Sequence, residues 1–211
     1  MPTSRISHPV FARFYTRVSE VLDHHGLAEH RRALLAGLSG RVIEIGAGNG
    51  LNFARYPPAV TGVVAIEPEP RLRATARLAA TRAAVRIDVT GGLAEQLPAA
   101  EGRFDAAVVT FVLCSLADPG AALMEIHRVL VPGGQLRFLE HVRADTPGRV
   151  RVQRLLDATV WPRLAGGCHT GRDSAAEIRA AGFTIEKLER FLFPAGVRSP
   201  ISFCARGLAR R

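Results

Sequence analysis

A glycine-rich turn follows a short apolar run in the stretch RVIEIGAGNG, residues 41–50. Gly46, Gly48 and Gly50 allow a tight turn in which the backbone approaches a ligand closely, and the N–H groups beyond the turn can bind it. A dinucleotide-binding loop reads GxGxxG, whereas Leu51 stands at the sixth position here. A phosphate loop of the ATPase type is excluded as well, because no Gly-Lys-Ser/Thr follows. The spacing therefore favours a ligand other than NAD or ATP.

An acidic residue ends the next apolar run, in VVAIEPEP, some twenty residues beyond the turn. Glu67 offers two carboxylate oxygens and no donor, so it can accept both hydroxyls of a ribose. A glycine-rich turn after a strand is weak evidence by itself, because such turns are common. The order of strand, GxGxG turn, second strand and terminal acid is much more specific, and it predicts an adenosyl ligand.

The elements that must position these residues follow from hydrophobic periodicity. Apolar runs of strand length alternate with longer helical patterns, which is typical of a parallel sheet covered by helices. Strands are predicted at 41–45, 62–66, 85–89, 104–110, 134–140, 183–190 and 200–206. Helices are predicted at 10–37 (one or two), 69–83, 118–130, 148–161 and 173–181. The prediction is an α/β fold with a single Rossmann-like, seven-stranded, mostly parallel sheet and helices on both faces.

The whole chain, 1–211, is predicted to be one domain, with N-terminal helices in 1–40 and an inserted helix or lid at about 143–172. Within 148–161 the apolar side chains recur at helical spacing: Val152, Leu155, Leu156, Thr159 and Val160. Such a stripe indicates one buried helix face. We therefore expect this insertion helix to pack its apolar face over the sheet edge.

Charge and composition limit the classes of partner. The chain carries a formal net charge of +9, and all but one of its 28 basic residues are arginine, the exception being Lys187. The arginines are dispersed, with no interleaved aromatic residues to stack bases, so nucleic acid is not a predicted partner. Five arginines nevertheless fall within one segment: Arg143, Arg149, Arg151, Arg154 and Arg163. Their clustering leaves weak peripheral contact with an anionic membrane surface open.

The cysteines and histidines give no metal-binding pattern along the chain. Cys114, Cys168 and Cys204 form no CxxC pair, so neither a disulfide framework nor a zinc site is predicted, and no metal is expected. Cys114 follows the apolar FVL and is read as a small core residue, not as a nucleophile. No apolar stretch has the length of a signal peptide or a membrane span. The prediction is a soluble, cytoplasmic protein.

At this point the motifs resemble those of the class I S-adenosylmethionine-dependent methyltransferases: VIEIGAGNG, AIEPEP, GGLAEQLP (91–98) and RVLVPGGQLRFLEHV (128–142). The resemblance implies S-adenosylmethionine as the cofactor, with Gly46 and Gly48 at its methionine moiety and Glu67 at its ribose. The whole implied cofactor-binding set is Glu44, Gly46, Ala47, Gly48, Asn52, Glu67, Pro68, Ala94, Glu95, Thr110 and Phe111. Leu93 departs from the pattern, because many relatives have Asp there. Backbone groups and Glu95 are expected to make the contact with the adenine amine that this Asp makes in the relatives.

A narrower resemblance runs from about residue 42 to 193. The segments NFARYPP, VVTFVLCSL, FLEHV, LLDATVWPRLAGGCHTGRDS and IRAAGF, in this order and spacing, are similar to the methyltransferase-like seven family. Its animal members are alkyl-thiol S-methyltransferases attached to membranes, so the resemblance implies a small thiol as acceptor. The hydrophobic anchor of those members has no counterpart in the N-terminal segment.

Methyl transfer from a sulfonium is an in-line displacement, so alignment of donor and acceptor supplies most of the rate. A thiol reacts as the thiolate, and a nearby base or positive field would help to form it. Candidates must lie at the carboxyl ends of the strands, where such sheets bind ligands. His141 ends the fifth predicted strand, and His169 lies in the glycine-bearing loop GGCHTGRDS. These two histidines are the predicted catalytic residues.

Three functions remain open from the sequence. The first is a methyltransferase for a small-molecule acceptor such as an alkyl thiol. The second keeps the donor but takes a phospholipid amine, a quinone or another lipophilic acceptor, which the arginine-rich segment 143–163 motivates. The third is a module that binds the cofactor without chemistry, because a fold does not settle function. The oligomeric state is not predicted.

Overall fold

The computed structural model describes residues 9–159 and 161–211 and contains one mixed seven-stranded sheet. Its strands are β1 Gly40–Ile45, β2 Val60–Ile66, β3 Ile87–Thr90, β4 Phe104–Thr110, β5 Leu130–His141, β6 Thr184–Leu192 and β7 Phe203–Arg210. They lie in the order β3-β2-β1-β4-β5-β7-β6. All neighbours pair in parallel except β7, which is antiparallel to both β5 and β6. The predicted α/β class and the seven strands are confirmed, with boundaries that differ by a few residues.

Seven α-helices connect the strands within the described residues. They are α1 Pro9–Leu22, α2 Ala28–Leu35, α3 Pro70–Ala80, α4 Pro119–Val129, α5 Pro147–Asp157, α6 Trp161–Leu164 and α7 Ser174–Ala180. A kinked π-helical turn, Asp23–Leu27, joins α1 to α2, and Gly26 in it has a φ of 114° that favours glycine. None of the helices in the described part of the chain is long and apolar enough to cross a bilayer.

The central strands are apolar on both faces because helices cover both sides of the sheet. Val42 and Ile43 are neighbours on β1 and point in opposite directions, as successive strand residues do. Val42 belongs to the core cluster that contains Leu34 and Leu35 of α2, whereas Ile43 belongs to the cluster that contains Leu123 of α4. Two separate hydrophobic layers therefore hold the sheet rigid at its centre.

Helix α4 begins where its sequence predicts. The Asp118 side chain accepts a hydrogen bond from the N–H of Ala121 at 2.9 Å, and Pro119 occupies the first helical position. An aspartate cap satisfies one of the free N–H groups of the first turn, and proline there sacrifices no hydrogen bond. Helix α3 is capped in the same way by Glu69, which accepts from the N–H of Leu72.

The prediction for the insertion helix is wrong in its orientation. On α5 the side chains of Val152 and Leu155 are 52% and 69% exposed, whereas Gln153 is fully buried. The Gln153 amide accepts from the N–H of Ala144 and donates to the carbonyls of Val142, Thr170 and Pro200. Four bonds to loop backbone outweigh the apolar stripe, because those buried backbone groups would otherwise lose their partners. Val160 lies outside the described residues.

Replacing Gln153 with leucine is expected to lower the free energy of unfolding by about 2–4 kcal/mol, because an apolar isostere leaves buried backbone groups without partners. Urea denaturation followed by circular dichroism measures the effect. The matched control is Arg154→Ala on the exposed neighbour, which should stay within about 0.5 kcal/mol of the wild type. Equal stability of Gln153→Leu and the wild type would contradict the role of this side chain.

Candidate active site

The sequence-predicted glycines lie at the carboxyl end of β1, beside the point where the strand order reverses between β1 and β4. Open α/β sheets bind their ligands at such a switch point. Gly46 and Gly48 have φ values of 67° and 58°, in the left-handed region that favours glycine. A Cβ on Gly46 would also collide with the Val112 side chain, which comes from the loop after β4. The glycine loop is therefore held close to the loop that follows β4.

Glu67 stands directly after β2 and points back at the glycine loop. One carboxylate oxygen accepts from the N–H of Gly48 at 2.7 Å and the other from the N–H of Glu69 at 2.9 Å. Burial raises the pKa of Glu67 to about 7, although the two backbone hydrogen bonds pull it down. A carboxylate has about four acceptor positions. Each oxygen of Glu67 therefore keeps capacity for one further donor.

A buried polar network supports the glycine loop from below. Glu44 on β1 accepts from Tyr56 Oη at 2.7 Å and from Asn52 Nδ2 at 2.8 Å. Asn52 also donates to Thr110 Oγ1 and accepts from Arg31, so β1, β4 and α2 meet at this amide. Burial raises the pKa of Glu44 to about 7. The network fixes three predicted cofactor residues to one another, and their contact with a ligand stays a prediction.

Helix α1 covers the glycine loop, which the sequence did not reveal. The Tyr15 ring lies 3.1 Å from the position that a Cβ on Gly48 would take. Asn49 donates to the hydroxyl of Ser19 at 3.2 Å and ties the loop to the same helix. Burial raises the pKa of Tyr15, the positive charge of Arg31 opposes the rise, and the negative charge of Glu67 adds to it. No sequence signal distinguishes Tyr15 from other aromatic residues of an amphipathic helix.

The predicted adenine-contacting loop lies beyond β3, next to Glu67 in the sheet order. A bridge between Leu93 and Gln96 closes it into a tight turn that contains Ala94 and Glu95. Ala94 is buried, and the N–H of Leu97 donates to the Glu125 side chain on α4. The turn is thus fixed to the body of the domain, and its contact with adenine stays a prediction.

Glu140, at the end of β5, organises the loop that follows β4. Its carboxylate is fully buried and accepts from the N–H groups of Val112, Leu113 and Cys114. Burial raises the pKa of Glu140, and the three backbone donors oppose the rise. Phe111, just ahead of this turn, has a φ of 56°. A left-handed conformation at a bulky residue is uncommon, and it persists here because the surrounding hydrogen bonds impose it.

The two predicted catalytic histidines lie in different surroundings. His141 follows Glu140, and its ring contacts the Phe111 ring with centroids 4.6 Å apart. Its Nδ1 lies 3.7 Å from Cys114 Sγ and 3.5 Å from Cys168 Sγ. Burial lowers the pKa of His141, but the thiol contact and the negative charges of Cys114 and Glu140 outweigh it, so the pKa is raised.

His169 is held by its own loop. The ring Nδ1 of His169 is hydrogen-bonded to the carbonyl of Gly167 at 2.7 Å. The backbone N–H of His169 donates to the carbonyl of Cys114 at 2.7 Å. Because a carbonyl only accepts, Nδ1 carries the proton in the neutral ring and Nε2 is left as an acceptor. The structure therefore brings the loops of both histidines together around Cys114.

Two solved methyltransferase structures share this fold. One from Bacillus halodurans superposes with a TM-score of 0.68 at 18% identity, covering 88% of this chain and 98% of that one. A S-adenosylmethionine-dependent methyltransferase from Aquifex aeolicus superposes with a TM-score of 0.66 at 13% identity, covering 94% and 97%. The family described as methyltransferase domain matches residues 43–138. The chain therefore has the Rossmann-like fold of class I methyltransferases, and its segment 43–138 matches their domain.

Curated relatives narrow the class. Thiol S-methyltransferase TMT1B of Rattus norvegicus is 36% identical over 74% of this chain, although the match spans only 65% of the rat protein. Thiol S-methyltransferase TMT1A of Homo sapiens is 32% identical over 87% of this chain and 79% of its own length. The ubiquinone/menaquinone biosynthesis C-methyltransferase UbiE of Methylobacterium nodulans is 34% identical over 55% and 44%. The chain belongs to the S-adenosylmethionine-dependent methyltransferases, close to the TMT1 thiol S-methyltransferases, and S-adenosylmethionine is its cofactor.

Proposed function

We propose that the chain transfers a methyl group from S-adenosylmethionine to the sulfur of a small alkyl thiol. The relationship to thiol S-methyltransferases over most of the chain carries the proposal. When bound, the cofactor supplies a methyl group on a positively charged sulfur. Such a displacement asks the protein mainly to align two groups and to exclude water. The close-packed loops after β1, β4 and β5 are suited to that task.

Different residues of the site would bind the cofactor and the acceptor. Gly46 and Gly48 would admit the cofactor's methionine portion to the backbone, and Glu67 would bind the ribose hydroxyls through its remaining acceptor positions. The sequence-predicted Ala47, Pro68, Ala94 and Glu95 lie on the loops that flank this path. We place the acceptor beside His141 and His169, whose loops meet around Cys114.

Cofactor affinity is expected to fall as the pH falls through 7. Glu67 has a pKa of about 7, and only its ionised form accepts two ribose hydroxyls, so protonation opposes binding. Between pH 8 and pH 6 the Kd for S-adenosylmethionine should rise roughly tenfold, the effect of one linked proton. Calorimetry across this range measures it. Glu67→Gln should remove the slope, and Asp88→Asn, which changes an exposed carboxylate on β3, should retain it. A flat profile for the wild type would contradict the assignment.

The activity is tested by S-adenosylhomocysteine release with and without a small alkyl thiol, with Glu67→Ala as the blank. Thiol-dependent product in the wild type alone is the expected result, and His141→Ala and His169→Ala should then reduce it. Intact donor binding without thiol-dependent product would contradict the acceptor class. Donor binding without turnover on any acceptor would favour the non-catalytic module.

A lipophilic acceptor is the second candidate, because the inserted segment exposes both apolar and basic side chains. Val152, Leu155 and Leu164 are exposed, and the exposed arginines beside them are Arg151, Arg154 and Arg163. Apolar side chains flanked by basic ones suit an anionic lipid surface. Sedimentation with anionic vesicles at low salt tests this. Leu155→Glu should abolish enrichment, whereas Leu78→Glu, on the exposed face of α3, should not. Absence of enrichment for the wild type would exclude the surface.

A further inference from the structure

Three potential metal ligands meet at the acceptor side of the site. Cys114 lies in the 3₁₀ turn after β4, His141 ends β5, and Cys168 lies in the loop after α6. Each is 27 residues from the next along the chain. Their ligating atoms all lie within 4.8 Å of one another, and both thiols are buried. The sequence expectation of no metal rested on spacing along the chain, and spacing cannot reveal such a convergence.

The distances within this triad match the edges of a tetrahedral coordination site. With metal–sulfur bonds of about 2.3 Å and metal–nitrogen bonds of about 2.0 Å, tetrahedral angles place two sulfurs about 3.8 Å apart and sulfur about 3.5 Å from nitrogen. The observed Sγ–Sγ distance is 3.9 Å, and Nδ1 lies 3.5 Å and 3.7 Å from the two sulfurs. A disulfide would need the sulfurs about 2.05 Å apart. The arrangement fits a shared cation without rearrangement of the three side chains.

Backbone contacts hold the triad in place. Glu140 binds three consecutive N–H groups that end at Cys114, and His169 donates its N–H to the Cys114 carbonyl. Arg172 donates to the carbonyls of Leu113 and Leu116, so it ties the turn of Cys114 to the loop of Cys168. A Cβ on Gly167 would collide with the Ser115 carbonyl, so the two loops are in direct contact. Metal sites depend on supporting contacts of this kind.

The donor set indicates the kind of cation. Two thiolates and one imidazole suit Zn²⁺ and other thiophilic ions, whereas Mg²⁺ and Ca²⁺ prefer oxygen ligands. Three protein ligands leave a fourth tetrahedral position for a water or a substrate, as in catalytic zinc sites. We propose that Cys114, His141 and Cys168 bind one Zn²⁺ ion whose fourth position receives the acceptor thiol. The second half of this proposal rests on the proposed function.

Such a site would generate the nucleophile without a separate base. On binding the cation the acceptor thiol releases its proton to solvent, because coordination stabilises the thiolate. The acceptor sulfur then forms the new bond to the methyl carbon. The bond from that carbon to the donor sulfur breaks, and its electron pair stays with the donor sulfur. The products are a methyl thioether and S-adenosylhomocysteine, and no oxidant or reductant takes part.

Metal binding is tested on the full chain without donor or acceptor. The protein is stripped with a chelator under reducing conditions, loaded with Zn²⁺ and analysed for bound metal after gel filtration. One equivalent is expected in the wild type and in Cys204→Ser. Cys114→Ser and Cys168→Ser should bind at least roughly 100-fold more weakly, since even loss of a supporting residue costs 10–100-fold. No retained zinc in the wild type, or equal retention in the Cys168→Ser variant, would overturn the site.

Cobalt substitution needs no variant, because the absorption spectrum of bound Co²⁺ shows which kinds of ligand it has. Co²⁺ in the wild type should show thiolate-to-cobalt charge-transfer absorption, and a spectrum without it would overturn the cysteine ligands. Adding a small alkyl thiol should intensify that absorption through a further sulfur ligand. An unchanged spectrum would overturn the open fourth position. Because neither measurement requires methyl transfer, failure of the metal site and failure of the thiol S-methyltransferase assignment remain distinguishable.

Discussion

Glu67→Ala is expected to weaken S-adenosylmethionine binding by at least roughly 100-fold, the largest effect of any single substitution at the site. Two hydrogen bonds to a charged acceptor contribute about 1.5–3 kcal/mol each, and about 3 kcal/mol corresponds to a Kd change of about 100-fold. Isothermal titration calorimetry at pH 8 measures the loss.

Measuring the stability of the Glu67 variants distinguishes a loss of cofactor binding from misfolding. Burial places the pKa of Glu67 at about 7, above its value in an unfolded chain, so the ionised carboxylate opposes folding at higher pH. Its contribution is therefore fully favourable only at low pH and declines as the pH rises towards 7. Glu67→Gln should consequently unfold at pH 8 no more easily than the wild type. Asp88→Ala, which removes an exposed carboxylate on β3, should bind the donor normally. Tight donor binding by Glu67→Ala would refute the ribose assignment.

Glu140→Ala is expected to lower the free energy of unfolding by about 3–5 kcal/mol. The substitution leaves three consecutive backbone N–H groups without their acceptor, and two of them belong to the buried residues Leu113 and Cys114. Each orphaned buried donor costs about 1–3 kcal/mol, and partial relaxation of the loop keeps the total below the sum. Urea denaturation gives the value. Phe111 should relax from its left-handed conformation once the turn loosens.

The matched control for this prediction is Glu189→Ala on β6. Glu189 is also a strand glutamate, but it is exposed and paired with Arg206 at the surface. Surface ion pairs contribute about 0–1 kcal/mol, so this variant should remain close to the wild type. Similar stability losses in both variants would show that Glu140 does not organise the loop as described.

The fold and the positions of the glycine turn and Glu67 within it were predictable because their signals are local. A strand, a glycine turn and a terminal acid lie within thirty consecutive residues, and β1 and β2 are adjacent in the sheet. The N-cap at Asp118 depends on three neighbouring residues only. Alternation of apolar runs with helical patterns predicts a parallel sheet because few other arrangements bury those faces. In such cases local preference and tertiary packing agree.

The orientation of the inserted helix was predicted wrongly, because the requirement that decides it comes from residues distant in the chain. The apolar stripe on α5 predicts burial of Val152 and Leu155, but the neighbouring loops present backbone groups that need a polar partner. Gln153 supplies it from the opposite face. The partner carbonyls lie 11, 17 and 47 residues away, so no window along the chain contains the cause. A single buried amide therefore decides which side of the helix faces solvent.

Composition, glycine spacing and hydrophobic periodicity determine the α/β class, the switch-point loop and the acid after β2, because each depends on residues close in the chain. Tertiary structure alone places Tyr15 over the loop, gathers the backbone donors on Glu140, and brings Cys114, His141 and Cys168 within bonding range of one ion. Those contacts join segments from different strands, and their distances are set by how the sheet and its loops pack. The side chains at the proposed acceptor side are therefore brought together only in the folded chain.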